Sequence, residues 1–167
     1  NVNNNTFSGD VYGNTFSGWL ENNTFSGYVR YNTFSGDVYG NTFSGWLENN
    51  TFSGNVNNNT FSGDVYGNTF SGDVYGNTFS GDVYGNTFSG DVYGNTFSGN
   101  VYCCQFKGYT QWVDFVYTGK MQHVTVGGHI EGTVHGHKRA TVAGDAKYEQ
   151  VVTADRNGNV VVTAPYV

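Results

Sequence analysis

Residues 59–67 read Asn59-Thr60-Phe61-Ser62-Gly63-Asp64-Val65-Tyr66-Gly67, and the same nine residues follow again from Asn68 to Gly76. The first five of them, Asn-Thr-Phe-Ser-Gly, occur eleven times, beginning at Asn5, Asn14, Asn23, Asn32, Asn41, Asn50, Asn59, Asn68, Asn77, Asn86 and Asn95. The period is nine without a slip. Each gap is filled by Asp-Val-Tyr-Gly, Trp-Leu-Glu-Asn, Tyr-Val-Arg-Tyr or Asn-Val-Asn-Asn. A fixed period of this kind marks a repeat architecture in which each unit stacks on its neighbours.

Side chains alternate faces along a strand, so parity reads the unit. With Asn at place one, the odd places hold Asn, Phe, Gly and Val or Leu. The even places hold Thr, Ser and two variable residues. Variation confined to places six and eight is what an outward face permits. The inward ladder is then Phe7, Phe16, Phe25, Phe34, Phe43, Phe52, Phe61, Phe70, Phe79, Phe88 and Phe97, with Val11, Leu20, Val29, Val38, Leu47 and their successors. No helical period fits. The expected fold is all-β: a parallel β-solenoid over residues 1–102, followed by a β-rich cap or assembly segment over 103–167. Stacked units would lie about 4.8 Å apart. Gly at place nine suits a corner. Gly at place five, on the inner face, is expected to leave room for an opposing Phe or a bend. Stacked Asn can hydrogen-bond along its ladder.

Three ways of closing the coil are compatible with this reading. Two units per turn give a flat, two-sided coil. Three give a triangular coil, and three intertwined chains could each supply one side. Trp-Leu-Glu-Asn recurs at Trp19 and Trp46, three units apart, which suits a threefold count and equally suits duplication of three-unit blocks. Two units per turn would stack Asp64 on Asp82 and Asp73 on Asp91, contacts expected to be mildly unfavourable and screened by salt.

Charged residues make up 12% of the 167, yet there are 13 Phe, 13 Tyr and 3 Trp, which disordered chains lack. Residues 1–102 carry six Asp, two Glu and a single basic group, Arg30, for a net −7; residues 103–167 sum to +1. No basic patch favours nucleic acid, and no apolar run is long enough for a membrane span.

The nonapeptide array resembles bacterial and phage parallel β-solenoid repeat proteins. Residues 127–146, which include Gly127-Gly128-His129-Ile130-Glu131-Gly132-Thr133-Val134-His135-Gly136-His137, resemble the Gly-x-Val-x-Gly pattern of bactofilin-like and hexapeptide β-helices. Farther on, Tyr148 to Ala154 and Asn159 to Ala164 read as a hairpin turning at Asp155-Arg156-Asn157-Gly158. The repeat is expected to end near Cys103-Cys104, whose adjacency gives no internal disulfide framework.

Little in the sequence suggests catalysis. No nucleophile–base pair, paired carboxylates or phosphate loop stands out, and a Ser present in every repeat is architecture. The expectation is a non-enzymatic structural protein without cofactors. It would be a self-associating fibre, spike or filament subunit, trimeric or polymeric, placed outside the cell or on a virion. Alternatives are an adhesin binding surface glycans, an ice-binding solenoid and an amyloid-like assembly module. Outward Tyr12, Trp19, Tyr28 and Trp46 are candidate contacts for sugars or for subunit interfaces. His135 and His137, which share a face if that segment is a strand, are the one pair that could meet a metal, although no Cys or carboxylate completes a ligand set. The nonapeptide calcium signature fails for want of a Gly-Gly pair, so the Asp ladders read as solvated surface. Bulky Tyr and Trp beside Thr and Ser are expected to spoil a flat ice-binding face.

Overall fold

The structure is a computed structural model. It describes residues 1–99, 104 and 105, and the backbone of the strands Val101–Tyr102, Gln105–Phe106, Thr110–Gln111, Met121–Gln122, Val124–Val126, Ile130–Glu131, Ala140–Ala143, Glu149–Ala154 and Val160–Thr163. Every described element is a strand or a turn. Each nonapeptide contributes two strands of two residues: Thr–Phe at places two and three, and Val or Leu with its successor at places seven and eight.

Two nonapeptides make one coil. Val2 pairs with Leu20, Phe7 with Phe25, Val11 with Val29 and Phe16 with Phe34, all parallel and all two units apart. About five coils stack this way. The threefold count and the three-chain winding do not occur, because one chain closes each coil by itself. A three-unit interval is one and a half coils, so it carries Trp19 and Trp46 to opposite sides. Nor is the coil flat and two-sided. It has four sides, each a ladder of two-residue strands. Side one holds Val2–Asn3, Leu20–Glu21, Val38–Tyr39, Val56–Asn57, Val74–Tyr75 and Val92–Tyr93. Side two runs from Thr6–Phe7 to Thr96–Phe97, side three from Val11–Tyr12 to Val101–Tyr102, and side four from Thr15–Phe16 to Gln105–Phe106.

The corner between places eight and one explains the four sides. Place nine adopts positive φ, from 62° to 68° at Gly13, Gly40, Gly67, Gly76, Gly85 and Gly94, and from 53° to 57° at Asn4, Asn22, Tyr31, Asn49 and Asn58. Gly enters that region freely and Asn tolerates it. The chain turns there and again at Ser-Gly, so no strand of the repeat outlasts two residues.

Phe from sides two and four fills the interior. Phe25 to Phe97 are fully buried, while Phe7 and Phe16, at the first coil, are half-buried. Rings one coil apart stack at 4.6 to 5.1 Å and within 8° of parallel. The two columns meet edge to face, as between Phe16 and Phe25, with centroids 6.4 Å apart. Both arrangements suit the ring quadrupole.

A second internal ladder is polar. Asn at place one is buried from Asn23 to Asn95. The Asn50 amide Nδ2 donates to the Val29 carbonyl at 2.8 Å and to Asn68 Oδ1 at 3.0 Å, while its Oδ1 accepts from the Asn32 backbone at 2.9 Å. From Asn23 to Asn86 each such Asn therefore ties together three coils and satisfies corner carbonyls and amides that the two-residue strands cannot reach.

Gly at place five sits at a bend, one of the two reasons expected, but it does not make room for Phe. At Gly81 a Cβ would sit 2.6 Å from the carbonyl carbon and oxygen of Gly63, one coil away, so the side chain is excluded by backbone. We expect Gly81→Ala to cost about 3 kcal/mol because the coils must separate. Gly85→Ala, at positive φ but with nothing within 4 Å, should cost about 1 kcal/mol. Thermal melts of the two variants check this, and equal shifts would refute the close-approach reading.

Parallel stacking does not stop at Cys103. Gln105–Phe106 pairs with Thr87–Phe88, and Thr110 pairs with Val92, again one coil on. Cys104-Gln105-Phe106-Lys107-Gly108 is thus a degenerate Asn-Thr-Phe-Ser-Gly, shifted in composition but not in register. Cys104 occupies the Asn place and is buried there, its Sγ 3.5 Å from the Val83 carbonyl. The next rungs, Met121–Gln122, Val124–Val126 and Ile130–Glu131, continue the parallel ladders. Ala140–Ala143, Glu149–Ala154 and Val160–Thr163 then form an antiparallel meander on side four. Its second and third strands are the expected hairpin, with Ala154 opposite Val160.

Candidate binding surface

Four-sidedness sorts the outward residues by chemistry. Sides two and four present Thr at place two and Ser at place four, with no aromatic residue in either column from Thr6 to Ser98. Sides one and three present places six and eight, and all the exposed Tyr and Trp of residues 1–99 belong to the segments around them. The expectation that Tyr and Trp share a face with the hydroxyl array is therefore corrected. A continuous two-sided strand would mix them, whereas the corners separate them.

Place six is held by more than solvent. The backbone N–H of Tyr28 donates to Asp10 Oδ1 at 2.9 Å, that of Asn55 to Asp37 at 2.8 Å, that of Asp82 to Asp64 at 2.8 Å and that of Asp91 to Asp73 at 3.0 Å. Asn55 serves the same role toward Asp73 at 2.9 Å. Asp stacks on Asp as a two-unit coil requires, and each contact gains a charge-assisted bond to an amide that offsets the like-charge repulsion. These bonds account for Asp at place six without any metal. Among the described residues no group of three His, Cys, Asp or Glu could hold one. His123, His129, His135 and His137 lie outside the described residues.

Side three carries the denser arrangement. Its place-six column runs Asp10, Tyr28, Trp46, Asp64, Asp82, and its place-eight column runs Tyr12, Arg30, Glu48, Tyr66, Tyr84. Tyr28 stacks on Trp46 at 5.3 Å, and Tyr66 on Tyr84 at 4.8 Å. Between the columns lies an open groove of about 230 Å³, lined by Trp46, Glu48, Asp64, Tyr66, Asp82 and Tyr84. Side one has a groove of similar size, about 220 Å³, at Trp19, Glu21, Asp37, Tyr39 and Asn57. Farther along that side, Tyr75 stacks on Tyr93 at 5.0 Å. The Tyr93 phenol is pushed up from its ordinary pKa by burial, by Tyr75 and by the carboxylates of Asp73 and Asp91.

No protein-family model, curated protein or solved structure matches this chain. The surface must therefore be interpreted from its own chemistry. Of the four aromatics singled out from sequence, Tyr12, Tyr28 and Trp46 share side three, and Trp19 stands on side one. All four are exposed, Tyr12 most at 63% among those on side three and Tyr28 least at 43%. Sequence reasoning misses Glu48, Asp64, Tyr66 and Tyr84 as members of a site. The missing signal is the coil length. Neighbours on a side are two units apart, whereas comparison of adjacent units sets Trp46 beside Asp37 and Asn55 rather than beside Asp64.

Proposed function

We propose that the chain is a non-enzymatic, rod-forming structural module that self-associates into a fibre, spike or filament outside the cell or on a virion. The observation that supports this is the invariance of the stack. From Val2 to Phe97 every coil repeats the same parallel pairings two units apart, with the same Phe and Asn ladders inside. Each coil is a template for the next, so another coil or another copy can be added without new geometry. Eleven nonapeptides at two per coil give a rod of roughly 25 Å. Mass in solution with particle images tests the proposal. Trimers or filaments thicker or longer than one chain allows are expected, and a stable elongated monomer at working concentration would overturn it.

A second reading is favoured by one observation. The Thr and Ser columns of sides two and four are regular and free of aromatics. Two hydroxyl arrays of this kind suit an ice surface better than the sequence by itself indicated. Inhibition of ice recrystallisation by the intact chain, lost when alternate Thr on one side are replaced by Lys, would favour this reading over assembly.

A further inference from the structure

We propose that the groove on side three binds the guanidinium of an arginine side chain from a partner polypeptide. The same side already holds such a group from within. Arg30 places its Cζ 5.8 Å from the Tyr12 ring centre and 5.9 Å from that of Tyr28, and its Nη2 is 4.0 Å from Asp10 Oδ2. The built arrangement is an Asp and a Tyr on one rung, an aromatic ring at place six of the adjacent rung, and the cation among them.

Farther along the side the arrangement recurs with its cation absent and the order of its rungs reversed. Asp64 and Tyr66 occupy one rung, and Trp46 stands at place six of the adjacent one. The residue corresponding to Arg30 is Glu48. A carboxylate thus replaces the internal guanidinium. Tyr28 covers one face of Trp46, and Tyr84 one face of Tyr66. The other face of Trp46 turns toward the Asp64 rung, and that of Tyr66 toward the Glu48 rung. Asp64 uses Oδ1 on the Asp82 amide, and Glu48 uses Oε1 on the Asn49 side chain at 3.2 Å, leaving the second oxygen of each for a ligand. Ring faces and carboxylates that converge without a cation select a planar, weakly hydrated one, for which cation–π attraction and a carboxylate bond act together. Arg30 is the sole basic side chain in residues 1–102, so the repeat array has no second guanidinium of its own to offer this groove.

The proposal does not depend on whether the rod self-assembles. Its test is a titration of the intact chain with N-acetyl-arginine amide, followed by Trp emission and by NMR, with mass recorded before and after. N-acetyl-citrulline amide, the neutral isostere, serves as comparison. Saturable shifts with the arginine compound, weakened by salt and absent with citrulline, are expected. Glu48→Gln and Asp64→Asn should each weaken binding roughly two- to five-fold, and their combination roughly ten-fold. Asp64→Asn keeps the backbone bond, since Asn55 makes it natively, so folding is not at issue. Side one repeats the arrangement at Trp19, Glu21, Asp37 and Tyr39, so Glu21→Gln should weaken a second, comparable binding event and leave the NMR shifts at Trp46 unchanged. Equal responses to citrulline and arginine, or undiminished shifts at Trp46 in the double variant, would overturn the assignment.

Discussion

Asn50→Asp should destabilise the solenoid by about 4 kcal/mol at pH 7 and by much less near pH 3. The wild-type amide donates from Nδ2 to the Val29 carbonyl and to Asn68 Oδ1, and its Oδ1 accepts from Asn32. A carboxylate keeps the acceptor but turns its second oxygen toward two other acceptors in a buried corner. Burial and the missing donors both disfavour the charge, so the introduced carboxyl has a folded-state pKa above the unfolded value of about 3.9. The folded state then holds a proton that the unfolded state has released. Stability relative to wild type is therefore best below about pH 4 and falls as pH rises above it. Denaturant melts of both proteins at pH 3 and pH 7 measure the difference. Asn55→Asp is the control, because place six natively accepts Asp in the same role. A pH-independent loss, or equal losses for the two variants, would mean that the Asn ladder is not the buried network described.

Phe61→Ala should cost about 3–5 kcal/mol, since the site cannot collapse without breaking the register on both sides. Phe61 is buried between Phe43 at 5.1 Å and Phe79 at 4.7 Å. Neighbouring coils are fixed by their own backbone bonds, which leaves a cavity one ring thick. Tyr66→Ser removes an outward ring that is 41% exposed and stacked on Tyr84, and it should cost less than half as much. Chemical denaturation of the two variants decides the matter, and equal losses would invert the inside–outside assignment.

The inside of the rod is legible from residues 59–76 because parity is local. A strand must alternate, so constancy at places three and seven and variation at six and eight identify the buried Phe and Val without reference to any other coil. Asn at place one is legible for the same reason. The corner is also readable, since Gly or Asn at place nine meets a positive φ that few other residues adopt. Gly at place five is legible as a bend, but the room for Phe that parity suggests is not its reason. The constraint comes from the backbone of the preceding coil, which a single unit does not contain.

Sequence alone determined that the chain is an all-β repeat stack and which side chains face its interior. Tertiary structure decided where each unit turns and how many units close a coil, and the surface followed from both. The corners keep hydroxyls apart from aromatics. Two units per coil make every second unit a neighbour, which puts Trp19 and Trp46 on opposite sides and brings Glu48 and Asp64 to the exposed faces of Trp46 and Tyr66. A nine-residue period repeats equally well in coils of two or three units. Only the angle turned at each corner, together with the hydrogen bonds that Asn makes across it, distinguishes them, and both are properties of the closed coil rather than of the unit.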